Sequence, residues 1–82
     1  MILVNIFFQE TNQEYDFKLM ETLPLGQVTE EIVEMIAQKE HLALKRDPGL
    51  FLLCDKTRER VLHPMTTLAS NAVHSGDSLL LL

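Results

Sequence analysis

Cysteine is almost absent from this chain: Cys54 is the only one among 82 residues. An intramolecular disulfide is therefore impossible, and a cysteine-rich metal site is excluded. A lone thiol fits a reducing, cytoplasmic setting. No run of about 18 apolar residues occurs, so direct membrane insertion is not expected. The apolar start Met1-Ile2-Leu3-Val4 has no basic region before it and meets Asn5 at once, which makes it a poor signal peptide. A basic stripe is missing too. The formal net charge is −5, which argues against nucleic acid and gives no support for binding an anionic membrane, but is compatible with a basic protein partner. The glycines that would suit a phosphate loop, Gly26, Gly49 and Gly76, stand alone, so no nucleotide motif is present and no cofactor is expected. His41, His63 and His74 share no ligand spacing and read as surface histidines, leaving no metal site. No internal repeat or linker divides the chain.

What is present is enough for one core. Apolar residues make up 46% of the chain, which argues against disorder, and 82 residues leave room for a single domain over 1–82. Residues 1–8 read as a strand in which Asn5 points outward, so Ile2, Val4, Ile6 and Phe8 face the core. Gln9 to Gln13 is a polar turn. Tyr15 to Leu19 alternates cleanly, with Asp16 and Lys18 outward, and the two runs suggest a hairpin. Pro24 and Gly26 punctuate the entry to a helix over about residues 26–41. Val28, Ile32, Met35 and Ile36 form its apolar stripe. Glu30, Glu31 and Glu34 read as a solvated face, with the first two suiting the helix N-terminus and Lys39 and His41 the C-terminus.

Lys45 to Gly49 is a turn, and Leu50 to Cys54 a fully apolar strand. Asp55 to Arg60 is a charged loop leading to a short strand at Arg60-Val61-Leu62. Its basic residues Lys56, Arg58 and Arg60 read as a solvated hairpin loop, offset by Asp55 and Glu59, more than as a docking spot. Thr67-Leu68-Ala69 forms a single turn, and Ser75-Gly76-Asp77 turns the chain into a last strand, Leu79 to Leu82, after which no flexible tail is expected. The order is β-β-α-β-β-β.

This order resembles the ubiquitin-like β-grasp, an α+β fold with one helix packed on one face of a mixed sheet. The residues that carry the resemblance are the strand starting at Met1, the Leu23-Pro24 helix entry, and the ending from Thr67 to Leu81, where Val73, Leu79 and Leu81 take core places. Within that superfamily, Asp55 to Leu62 and the Gly76-Asp77-x-Leu79 ending are most similar to the small bacterial YukD-like proteins of type VII (WXG100) secretion. The resemblance implies parallel first and last strands at the centre, the third beside the last, and the second and fourth outside. It also implies a cytoplasmic accessory component of such a secretion system, with secretion-system proteins or a second copy of itself as partners.

The chain has no C-terminal Gly-Gly for activation, which disfavours a modifier or sulfur carrier unless the tail is missing from this sequence. Cys54 could serve as a nucleophile with His63 or His74 as base, but it reads more simply as a small hydrophobe at a strand end. A non-enzymatic interaction module is the reading that remains. Its surface would be the sheet face away from the helix, where Leu3 and Phe7 join Leu80 and Leu82. The third strand supplies either Phe51 and Leu53 or Leu50 and Leu52. The candidate interaction residues are Leu3, Phe7, Phe51, Leu53, Leu80 and Leu82.

Overall fold

In the computed structural model, which describes residues 1–82, strand β1 (Ile2–Phe8) and strand β2 (Gln13–Leu19) form an antiparallel hairpin. The loop between them is short, and Asn12 supplies the left-handed residue (φ 55°) that reverses the chain. Asparagine tolerates that conformation better than most residues. Helix α1 (Leu25–Glu40) then crosses the sheet. A 3-10 turn (Pro48–Leu50) precedes β3 (Leu53–Asp55), β4 (Arg60–Val61) and β5 (Ser78–Leu81). The sheet order is β2-β1-β5-β3-β4, with β1 and β5 parallel and all other pairs antiparallel. This is the arrangement that the resemblance implied.

The helix has no side-chain cap. Its first free N–H groups find carbonyls in a distant loop: Leu25 donates to Thr66 (2.8 Å) and Gly26 to Pro64 (2.9 Å). Such groups must be paired somewhere when buried, and here the pairing ties the helix entry to the segment after β4. Gly26 suits the close approach, because a Cβ there would sit 3.3 Å from the Pro64 side chain, a tight contact. At the other end His41 turns left-handed (φ 54°), and its N–H closes on the Ala37 carbonyl. Glu30 and Glu31 fall in the second turn, beyond the short range over which the helix N-terminus favours acids.

The buried stripe of α1 runs through Leu25, Val28, Thr29, Ile32, Val33, Ile36 and Ala37. Met35 is not in it and lies 55% exposed, whereas Val33 is fully buried. From the sheet, Val4, Ile6, Phe8, Leu53, Leu79 and Leu81 meet this stripe, and Leu62, Leu68 and Val73 close its end. Thr67 and Ser70 exchange hydrogen bonds between side chain and N–H (3.0 Å each), which holds the turn that drives Leu68 inward.

The third strand departs from expectation. Leu50 to Cys54 is not one strand. Asp47 accepts a hydrogen bond from the Gly49 N–H (2.9 Å), Pro48 fixes the next backbone angle, and the chain is still turning at Leu50. Regular pairing starts near Leu52, which exchanges two backbone bonds with Leu82 (3.0 and 2.9 Å). Phe51 and Leu53 are buried, so neither can serve as an exposed interaction residue. Phe51 packs edge-on against Phe8 (centroids 5.6 Å apart) and is covered by the Arg46 guanidinium. The pairing Leu53–Leu81 and Asp55–Leu79 puts these residues on the helix side, which leaves Leu50 and Leu52 outside.

Leu79 sits in the middle of the sheet with no exposed surface. Leu79→Ala is expected to cost about 2–5 kcal/mol, a large share of the stability of so small a domain. Urea unfolding followed by circular dichroism measures it.

Candidate protein-interaction face

The face away from the helix is built by strand pairing alone. One cross-strand row runs Glu14–Phe7–Leu80–Cys54–Val61, each residue opposite the next on the neighbouring strand. Leu82 and Leu52 pair beside it. Phe7, Leu80, Leu82 and Cys54 are half-buried by their neighbours, while Leu52 and Val61 are 49% and 62% exposed. No helix packs on this face, and the β3–β4 loop screens part of the row. Lys56 leans over the Phe7 ring (5.9 Å to its centroid), and a shallow cavity of about 370 Å³ opens between Leu80, Cys54, Val61 and the β3–β4 loop.

Of the six expected residues, the structure brings Phe7, Leu80 and Leu82 together. Leu3 faces the same side but stands apart. The polar row Asp16–Asn5–Ser78 lies between it and Phe7, with Asn5 Nδ2 donating to Asp16 Oδ1 (3.2 Å). The neighbours of Leu3 are Lys18 and the turn at Ser75 and Gly76. Leu52 and Val61 replace Phe51 and Leu53 on this face. A fully apolar run carries no alternation from which to choose between the two pairs.

Asp55, expected to open a charged loop, ends strand β3 instead and is completely buried. It shares the inward phase of Phe51 and Leu53. Its Oδ1 accepts from the Thr57 and Arg58 N–H groups (3.1 and 3.2 Å), which bends the chain into the β4 hairpin. Its Oδ2 accepts from Arg58 Nη1 (2.9 Å), and Arg60 Nη2 lies 3.5 Å away. Arg58 also reaches Asp77 (3.1 Å), and Arg60 donates to the Asn71 carbonyl. The carboxylates hold the Arg58 guanidinium charged still more firmly than usual. Two of the three cations in the basic strip are thus paired with acids of the chain while still exposed, and Lys56 makes no ion pair. The signal that could have found this is the spacing Asp-x-Thr-Arg, in which a side-chain oxygen reaches N–H groups two and three residues on.

Cys54 lies on the outer face, and burial pushes its thiol pKa up, so less thiolate is present at neutral pH. Neither His63 nor His74 hydrogen-bonds to it; the His63 ring accepts from the Met65 N–H instead. No three His, Cys, Asp or Glu side chains converge on a metal-sized site.

This geometry is that of a ubiquitin-like β-grasp domain. Solved structures with the same fold include a de novo design based on ubiquitin (TM-score 0.73, 17% identity, covering 99% of this chain and 85% of that one). The EccD5 ubiquitin-like domain from Mycobacterium xenopi matches with TM-score 0.71 and 20% identity, covering 99% of this chain and 91% of that domain. A computationally designed protein templated on human erythrocytic ubiquitin matches with TM-score 0.67 and 20% identity, covering 100% and 90% of the two chains. At such identities these likenesses speak for the fold alone. A search of curated proteins finds no match. The family description "WXG100 protein secretion system (Wss), protein YukD" matches residues 2–81, and the chain belongs to that family.

Two outcomes test the polar hub. Asp55→Ala is expected to destabilise the fold by about 2–4 kcal/mol, because it removes charge-assisted bonds from a buried site. Asp55→Asn, which keeps the oxygen facing the turn, is expected to cost less; equal losses in urea denaturation would contradict the turn's role.

Asp77 accepts from the His74 N–H (3.0 Å) and from Arg58, and these bonds hold its carboxyl below the usual carboxylate range. Its contribution to stability is complete above its unfolded pKa and disappears as pH falls through the lowered native one. Thermal melts of Asp77→Asn are expected to show lower stability at pH 7 and a shallower loss than wild type below about pH 4.

Proposed function

We propose that the protein is a non-enzymatic accessory component of a bacterial type VII (WXG100) secretion system. It works in the cytoplasm by docking a protein partner on the outer face of its sheet. The observation that carries this reading is the continuous apolar row of Phe7, Leu80, Cys54 and Val61, widened by Leu82 and Leu52, on the face that has no helix. A sheet that is apolar on both faces is ordinarily covered on both, and here only one face has its helix. The row has an apolar centre bordered by charge, with Glu14 at its β2 end and Lys56 beside Phe7, which is the usual layout of a protein interface. Family membership supplies the setting. The raised thiol pKa of Cys54, without a basic partner, supports binding over catalysis.

Capture of secretion-system components by the tagged protein in its host tests the reading. Leu80→Asp is expected to weaken capture by roughly 10- to 100-fold, since burying one such side chain contributes about 1.5–3 kcal/mol. Phe7→Asp should act alike, and Leu3→Asp, off the row, should bind as wild type. Folding of each variant is checked by circular dichroism. Undiminished capture by folded Leu80→Asp and Phe7→Asp would rule out this face.

A further inference from the structure

The sheet has a second unpartnered feature, at its β2 edge. Strand β2 is an edge, and no other strand pairs with its outer side. It is seven residues long, contains no proline and pairs in unbroken register with β1. The opposite edge, β4, has only two residues. A long, regular free edge is a template for another strand unless something blunts it.

The direction of its free backbone groups follows from β1. In that strand the Leu3 carbonyl accepts from Gly76, and the Asn5 and Gln9 N–H groups donate to Asp77 and Leu81. Odd residues of β1 therefore turn their backbone toward β5, and even ones toward β2. In antiparallel register the backbones of Tyr15 and Phe17 are then used by β1. Glu14, Asp16 and Lys18 present their N–H and C=O groups to the open side. The same three residues carry the edge's charges, and none makes an ion pair within the chain. Beneath them, between β2 and α1, lies an open groove of about 410 Å³, lined by Tyr15, Phe17, Met35 and Ile36.

We infer that this edge pairs with the same edge of a second copy of the chain. The charge pattern selects the occupant and the register. An antiparallel pair related by a two-fold axis at Phe17 sets Asp16 opposite Lys18 of the second copy, and Lys18 opposite its Asp16. Both are hydrogen-bonded pairs, because both residues turn their backbone outward. On the helix side, Phe17 meets Phe17 at a non-hydrogen-bonded position, where side chains are closest, and Tyr15 meets Leu19. An axis at Asp16 would set Asp16 against itself between two Glu14–Lys18 pairs, and an axis at Tyr15 would set Glu14 against Asp16 twice. The Phe17-centred register is the one among these with opposite charges in every charged pair. The axis is perpendicular to the sheet, so both helices stay on one face and the two grooves meet, which covers Met35. The outer apolar row lies on the other face, on β1, β5, β3 and β4, and stays free for its partner.

Sedimentation over a range of roughly 10–500 µM, suited to a small interface, tests the pairing. The wild type is expected to pass from monomer to dimer. Lys18→Asp alone and Asp16→Lys alone each place like charges opposite one another twice, and should weaken the dimer about tenfold or more. The double variant Asp16→Lys/Lys18→Asp should restore it, and a mixture of the two single variants should form a heterodimer. Leu80→Asp should dimerise as wild type, which separates this surface from the proposed docking face. A wild type that stays monomeric throughout overturns the inference, including the case where it binds a partner's strand at β2 instead. A Lys18→Asp variant that dimerises as wild type overturns it, as does a double variant that fails to recover. So does a dimer lost in Leu80→Asp but kept in Lys18→Asp.

Discussion

The structure depends on the phase of β5. That strand lies between β1, which runs parallel to it, and β3, which runs antiparallel. Side chains alternate strictly along a strand, so one register decides every face at once. Leu79 beside Ile6 and Asp55, and Leu81 beside Phe8 and Leu53, set the row that meets the helix. Everything on the outer face is the complement of that choice. A slip of one residue would bring Leu80 and Leu82 under the helix and turn Ile6 and Phe8 out of step with them. Four consecutive leucines do not prevent such a slip by their own pattern. The neighbours prevent it: Asn5 and Ser78 share a polar row on the outer face, and Asp77 is held by Arg58 and the His74 N–H.

Asp55 is the second consequence of that phase. The residue two places after Leu53 must point inward, and here it is a carboxylate. An unpaired charge at such a site would be strongly destabilising. Its own turn supplies two N–H groups, and Arg58 and Arg60 bring opposite charge from residues three and five places on. The buried acid therefore organises the β3–β4 hairpin and fastens it through Arg58 to the turn that starts β5. Local sequence closes the site that global register creates.

Where the sequence alternated, its meaning was legible. Asn5 placed Val4, Ile6 and Phe8 correctly, and Asp16 and Lys18 did the same for β2. The order of elements and the inward roles of Leu79, Leu81 and Val73 were also readable. Leu50 to Cys54 was not, because an apolar run fits either phase and hides where the Asp47-Pro48-Gly49 turn ends. Met35 took Val33's place in the expected helix stripe, since both positions are apolar and only the path of α1 over the sheet separates them. Leu3 was assigned correctly to the outer face but wrongly to the patch. Continuity across strands depends on which residues of β5 and β2 flank it, and a single strand's pattern does not contain that.

The two unpartnered surfaces are separated by the same geometry that made them. One helix covers one face, so the central strands β1, β5 and β3 leave apolar side chains on the other, bounded by the charged β2 edge and the charged hairpin. At β2 the charges sit on the residues whose backbone is free. Charges at an edge ordinarily repel an approaching strand, but the order acid, acid, base along one strand leaves the Phe17-centred register with opposite charges and no like ones, whereas axes at Tyr15 and Asp16 bring acids together. An edge guarded in this way is selective rather than closed. The apolar row recognises a partner through buried area, while the edge discriminates through register, and the only residue common to both is Glu14, which ends the row and begins the charges of the edge.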